Sequence, residues 1–403
     1  MLARLALLAR EKPLLLAAWV SVVVLGLRFF GADFAYAFAH GDWTSGPGTL
    51  LGRDFVNVFT AGHLVLDGRL DVVFDVDAYR EYQAQMFDGR VLAHNYSYPP
   101  VSFFYVPLFA LGGYGLSYFL WIGLTGIAFV LAARPYLRDV GLPAWSALLI
   151  PAALVNVWAG HYGFLFGALW LAAWRLVEAR PRTAGMLIGL MIVKPHLALL
   201  MPLVLLRRGA WTPIVYAAVT SLSLVVVSGL AFGWGYWVTY LTQTSVFQAA
   251  MVDAEGGFFM LMMPTILAAA LQSGLEPILG WALQSLVAVL VMAALWTWMP
   301  RDPMKAGLAT ATATFLVLPY AFNYDLTVVG IAALIALKRT DYSATSVQRS
   351  TGLLAFLLPF VVINLNNAGL PLAPLVLGML LVALLRDERV RKFAVSPPAL
   401  ANA

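Results

Sequence analysis

Continuous apolar runs, separated by short polar stretches, recur from Pro13 to Leu385. They fall at roughly 13–30, 114–133, 142–159, 163–177, 212–232, 277–299, 306–320, 326–338, 351–366 and 370–385. Most approach the ~20 residues that a helix needs to cross the hydrocarbon core of a bilayer. The runs do not alternate with period two, so they predict helices rather than the strands of a barrel. The expected fold is an all-α polytopic membrane protein, with residues 1–403 as one integral domain of about ten to twelve transmembrane helices.

Three apolar stretches break the rhythm. Residues 184–206 have Arg182 on one side and Arg207 on the other. Short loops rich in Lys and Arg stay on the cytoplasmic side, so this segment is expected to enter and return. Its break is expected at Lys194-Pro195, because proline removes a backbone donor and disfavours helix in the residue before it. The runs 99–111 and 258–273 are too short to cross and are expected to dip in from the outer face.

The longest polar stretch is a first outer loop at 31–98, with nine acidic residues against four arginines. Within it, Asp54–Leu66 and Asp77–Phe87 are expected as helices lying along the interface, with Asp77 as an N-cap. A second outer segment covers 233–276. In its part Gly233–Gly257, the residues Trp234, Tyr236, Trp237 and Tyr240 are expected at the headgroup level.

Composition agrees with a membrane protein: hydrophobic residues make up 62% of the chain and charged ones 11%. The net charge of +5 would suit nucleic acid. However, the basic residues lie in short loops between runs, where they orient helices, and nucleic acid is not an expected partner. These clusters are Arg4/Arg10/Lys12, Arg134/Arg138, Arg175/Arg180/Arg182, Arg207/Arg208, Arg301/Lys305, Lys338/Arg339/Arg349 and Arg386/Arg389/Arg391/Lys392. With them inside, both termini are cytoplasmic. A cleaved leader ending near Ala35-Tyr36-Ala37 is the competing reading of the N-terminus. Cysteine is absent, which rules out disulfides and thiolate metal sites.

Few residues carry candidate chemistry. Asp54, in Gly52-Arg53-Asp54-Phe55, is placed to take a proton from a hydroxyl, or else to cap a helix. Lys194 sits in the middle of an apolar segment, far from Arg182 and Arg207, too deep to snorkel out. A lysine there needs an anionic partner or a polar cavity, most naturally a phosphate. Outer turns at His161-Tyr162 and at Asn323-Tyr324-Asp325, together with Tyr98 before Pro99-Pro100, are expected to converge on the face that carries Asp54. Asp325 begins an apolar run, so capping is its alternative role. Asp75-Val76-Asp77 matches a short metal-binding pattern of nucleotide-sugar transferases, but no metal is assigned to it.

These residues together resemble glycosyltransferase family 87, polyprenyl-phosphate-sugar-dependent membrane enzymes with the GT-C fold, which include mycobacterial phosphatidylinositol mannoside mannosyltransferases. The resemblance runs through Asp54-Phe55, Ala61-Gly62, Asp67-Gly68, Tyr98-Pro99-Pro100, Pro107-Leu108 and Gly160–Gly163. It continues through Ala184-Gly185, Gly189, Lys194-Pro195, Pro202-Leu203, Arg207-Arg208, Pro319 and Tyr324-Asp325. Where the family commonly has Gly-Gln, this chain has Gly160-His161.

The resemblance implies an inverting hexosyl transfer, mannose favoured, from a polyprenyl-phosphate sugar to a lipid or glycan acceptor, without a metal cofactor. It implies Asp54 as the base, Lys194 with His196 or Arg53 as partners of the donor phosphate, and His161, Tyr162, Tyr98, Asn323, Tyr324 and Asp325 as substrate contacts. The expected location is a bacterial inner membrane, with the site facing outward. A flippase of lipid-linked saccharides is the first rival, and predicts an inverted repeat that the sequence does not display. A surface-polysaccharide polymerase or ligase is the second, and would place its large outer loop late in the chain.

Overall fold

The computed structural model describes residues 13–41, 43, 50–89, 94–245, 257–339 and 346–394, and its elements are helical. The basic flank Arg4/Arg10/Lys12 and residues 246–256 of the second outer segment lie outside the described residues. The chain is an all-α polytopic membrane protein. Among the described residues, four helices are long and apolar enough to cross a bilayer: Tyr114–Arg138, Trp211–Phe232, Pro277–Trp298 and Val347–Asn367.

In chain order, α1 (Pro13–Gly26) continues through a π turn, Leu27–Gly31, into α2 (Ala32–His40). The first loop contributes α3 (Phe55–Leu66) and α4 (Val76–Met86). Then come α5 (Tyr114–Arg138), α6 (Pro151–Ala159), α7 (Gly163–Leu176), α8 (Pro181–Gly189), α9 (Met201–Arg207), α10 (Trp211–Phe232), α11 (Pro277–Trp298), α12 (Pro303–Val317), α13 (Thr327–Arg339), α14 (Ser346–Asn367) and α15 (Ala373–Ala394). Residues 99–111 form two 3-10 turns, and 258–273 holds the short helices Phe258–Leu261 and Ile266–Gln272.

The first loop departs from the expectation of surface helices. Of the two helices expected there, α4 alone is half-exposed, burying Tyr79 and Gln83 on one side. By contrast α3 buries nine of its twelve residues, so it is part of the core. Gly62 permits this, since a Cβ there would lie 2.5 Å from the Val106 carbonyl. The cap of α4 is Asp75 rather than Asp77: its carboxylate accepts from the backbone N–H groups of Asp77 and Ala78 at 3.1 and 3.0 Å. The aromatic segment divides too. Trp234 is exposed, while Trp237 is buried and donates to Ser228 Oγ at 3.0 Å, and Tyr236 and Tyr240 pack toward Phe74 of the first loop.

The segment between α7 and α10 doubles back on itself. Arg208, after α9, donates to Glu178, before α8, at 2.6 Å, so both ends lie on one face. Helix α8 runs alongside the first half of α10 in close approach. A Cβ at Gly185 would meet the Pro213 carbonyl, and one at Gly189 would meet Thr220 Cβ, each at 2.5 Å. Small residues four apart on a membrane helix allow such backbone contact. Between α8 and α9 the backbone passes through 3-10 turns on either side of Lys194, whose backbone leaves the helical region (φ −138°, ψ 70°).

α12 fills the centre, with every residue from Ala306 to Val317 buried. Its hydroxyls on Thr310, Thr312 and Thr314 donate to carbonyls one turn back, at 2.7 to 3.0 Å, so the interior carries them at little cost. α10 and α11 bury little of their apolar surface, as helices facing lipid do. The turn between α6 and α7, the turn between α12 and α13, the tip at Lys194 and the start of α3 meet at the end of the bundle away from the Arg208 face.

Candidate active site

Asp54 occupies the residue before α3, yet it does not cap that helix, and none of the described residues donates a hydrogen bond to its carboxylate. Its backbone is fixed instead. Asp54 N–H donates to the Ala159 carbonyl at 2.8 Å, and the Tyr114 hydroxyl donates to the Leu51 carbonyl at 2.8 Å. The turn ending α6 presses against this one. Gly160 adopts φ +68°, and a Cβ there would lie 2.7 Å from Phe55 Cβ and 2.9 Å from Gly52 Cα. Trp121 Nε1 donates to the Gly160 carbonyl at 3.1 Å and completes the clamp. The result is a carboxylate held in place by its main chain while its oxygens stay unspent.

Burial pushes Asp54 up to about 6; Arg53 and Lys194 pull against that rise and Asp325 adds to it. It is therefore mostly ionised at neutral pH but close to its titration point, the range in which a general base is effective. His94 Nδ1 lies 3.7 Å from Asp54 Oδ1. Burial, with the charges of Arg53 and Arg80, pushes His94 down to about 4, so it is neutral at the pH where Asp54 ionises.

Lys194 reaches Asp325. Its ammonium donates to Oδ1 at 2.8 Å and Oδ2 at 3.0 Å, and it lies 5.4 Å from the Tyr324 ring centroid. Both side chains are buried, and the partner that a deep lysine requires is thus in the chain itself. Asp325 is spent on this pair rather than on capping α13. His161 Nδ1 lies 3.9 Å from Asp325 Oδ1 and makes no hydrogen bond, while Nε2 is 3.0 Å from the Tyr98 hydroxyl. A bare Nδ1 lone pair facing a carboxylate would be repelled. We assign the proton to Nδ1, with the Tyr98 hydroxyl donating to Nε2. The His161 ring stacks on Tyr324 at 4.0 Å.

One cluster therefore contains Lys194, Asp325, His161, Tyr98 and Tyr324, and its charges are felt at Asp54. Other residues singled out from the sequence lie differently. Tyr162 accepts from the Tyr105 hydroxyl at 2.9 Å and packs its ring on Tyr98, forming a wall behind the cluster. Asn323 ties its amide to the Pro359 carbonyl at 3.0 Å. The His196 ring faces Tyr320, and the Arg53 guanidinium stacks over Trp158 at 4.7 Å. Two residues not foreseen also belong to the site: His94, and Asn156, whose Oδ1 accepts from Gly163 N–H at 2.8 Å and shapes the turn that bears His161. A lone histidine in a polar loop and an asparagine in an apolar run carry no pattern of their own.

Residues 96–319 match the model of glycosyltransferase family 87, more than half of the chain. The chain belongs to glycosyltransferase family 87. It is thus a membrane glycosyltransferase, which brings together a sugar donor and an acceptor. The matched span includes Tyr98, His161 and Lys194; Asp325 falls just past its end, and Asp54 lies well before its start. No curated protein and no solved structure matches the chain. For a glycosyltransferase the arrangement is chemically apt: an acceptor hydroxyl must lose a proton, and a departing group must be relieved of negative charge.

Proposed function

We propose that this glycosyltransferase moves a hexose, mannose favoured, from a polyprenyl-phosphate donor to a hydroxyl of a lipid or glycan acceptor, on the extracytoplasmic side of a bacterial inner membrane. The observation that carries the reading is the unspent Asp54 carboxylate, within the field of a buried Lys194–Asp325 pair. Asp54 takes the hydroxyl proton as the acceptor oxygen attacks the anomeric carbon. The bond from that carbon to the phosphate oxygen breaks on the opposite side, inverting the configuration.

The electron pair leaves on the polyprenyl phosphate, which gains a negative charge. Lys194 turns part of its hydrogen bonding from Asp325 to that phosphate, and His161 Nδ1–H, already facing Asp325, takes up the carboxylate it releases. Tyr98 holds the imidazole in the tautomer this exchange needs. Arg53 and His196, turned toward Trp158 and Tyr320, are peripheral to the exchange. The scheme uses no metal, and in it Asp75 is a helix cap.

The test is transfer of labelled mannose from polyprenyl-phosphate mannose into extractable membrane acceptors. Asp54→Asn should lower turnover by roughly 10²- to 10⁴-fold with donor binding unchanged. Near-normal turnover in that variant removes Asp54 from the chemistry. Failure of the wild-type chain to use any polyprenyl-phosphate hexose removes the donor assignment.

A further inference from the structure

A cavity of about 600 Å³ opens on the face opposite the candidate active site, between the ends of α7, α9, α11 and α15. Its walls include Glu178, Arg207, Arg208, Trp298, Arg301 and Leu385. Among the described lining residues, three guanidinium groups stand against one carboxylate, an excess of positive charge.

The two adjacent arginines serve different ends. Arg208 is consumed by the fold: it donates to Glu178 Oε1 at 2.6 Å, to the Pro300 carbonyl at 3.2 Å and to the Arg301 carbonyl at 2.9 Å, tying the end of α11 to the end of α9. Arg207 gives only Nε, to the Trp296 carbonyl at 3.0 Å, and lays its guanidinium 5.7 Å from the Trp296 ring centroid. Its plane is thereby fixed, while its two terminal nitrogens hydrogen-bond to none of the described residues. An oriented, unspent guanidinium fork is the geometry that takes a phosphate through two parallel hydrogen bonds.

The depth of the cavity also fits a lipid. Trp211, Trp296 and Trp298 are exposed on this face, where amphipathic rings mark the headgroup level, and Leu385 and Trp298 give the cavity apolar wall. We propose that the cavity binds the phosphodiester headgroup of an anionic phospholipid, with Arg207 as its recognition residue. Basic pockets between membrane helices are suited to such headgroups, and the site stands independently of the transfer reaction.

The experiment titrates the full purified chain in detergent with phosphatidylglycerol or phosphatidylcholine and counts retained lipid by native mass spectrometry. The wild-type chain should retain phosphatidylglycerol with roughly tenfold preference. Arg207→Gln should lose the preference, and Arg207→Lys should keep part of it, since the charge remains while the fork is lost. Excess inorganic phosphate should not displace the lipid. Equal retention of the two lipids, or undiminished preference in Arg207→Gln, overturns the proposal. Displacement by inorganic phosphate overturns the lipid assignment in favour of a soluble anion.

Discussion

Cutting the Lys194–Asp325 pair from one side should cost far more than deleting both charges. In Asp325→Asn the amide keeps one acceptor for the ammonium but removes the opposite charge from a lysine whose side chain is 10% exposed. Removing one partner of a buried pair costs ~3–5 kcal/mol, because an uncompensated charge remains. The retained acceptor and the Tyr324 ring set the expected loss at about 3 kcal/mol, at the lower end of that range.

Lys194→Met combined with Asp325→Asn leaves no buried charge, and its stability should return to within ~1 kcal/mol of the parent chain. The coupling between the two sites should then be about 2 kcal/mol or more. Unfolding can be followed through the intrinsic fluorescence of the 13 tryptophans during titration of detergent micelles with dodecyl sulfate. Donor binding is the second readout, and the uncharged double variant should be stable yet unable to hold the donor phosphate. Additive single effects, with coupling under ~0.5 kcal/mol, would refute a formed ion pair. Full donor affinity in the double variant would refute Lys194 as the phosphate partner.

The acid limb of the turnover–pH profile should fall near pH 6, activity declining below it as Asp54 takes up its proton. That limb should survive His94→Gln, because His94 titrates near 4; its disappearance in that variant would transfer the limb to the imidazole. Gly160→Ala should cost ~1–2 kcal/mol for its left-handed backbone alone. It should cost more through contact with Phe55 and Gly52, and should lower turnover by displacing Asp54. Unchanged turnover would show that the two turns do not set the position of the base.

Much of the architecture was legible because lipid imposes a simple rule on sequence. Runs at 212–232 and 277–299 lie within a residue of α10 and α11, since a helix bathed by lipid must be apolar throughout its length. Charge on both sides of one run marked the segment around Lys194. The helices of the first loop were harder to place. Phe55–Leu66 has an apolar stripe that fits a membrane surface as well as a protein interior, and only the contact of Gly62 with Val106 decides between them.

The same limit applies to the site. Lys194 stood out because a charge in an apolar run is conspicuous, but that Asp325 answers it across 131 positions of sequence follows only from the fold. Asp75 and Asp77 compete locally for one cap, a choice of a single hydrogen-bond geometry that spacing does not encode.

The segment that carries Lys194 has a consequence for how such a protein can change. It enters and leaves by one face, as the contact of Arg208 with Glu178 requires, so it adds an even number of crossings. Lengthening, shortening or replacing it leaves the orientation of every later helix as it was. The tip is in this sense a cassette. Its chemistry can be exchanged, or the whole segment removed, without inverting the half of the molecule that follows, whereas deleting α5 or α10, each a single crossing, would turn the rest of the chain inside out.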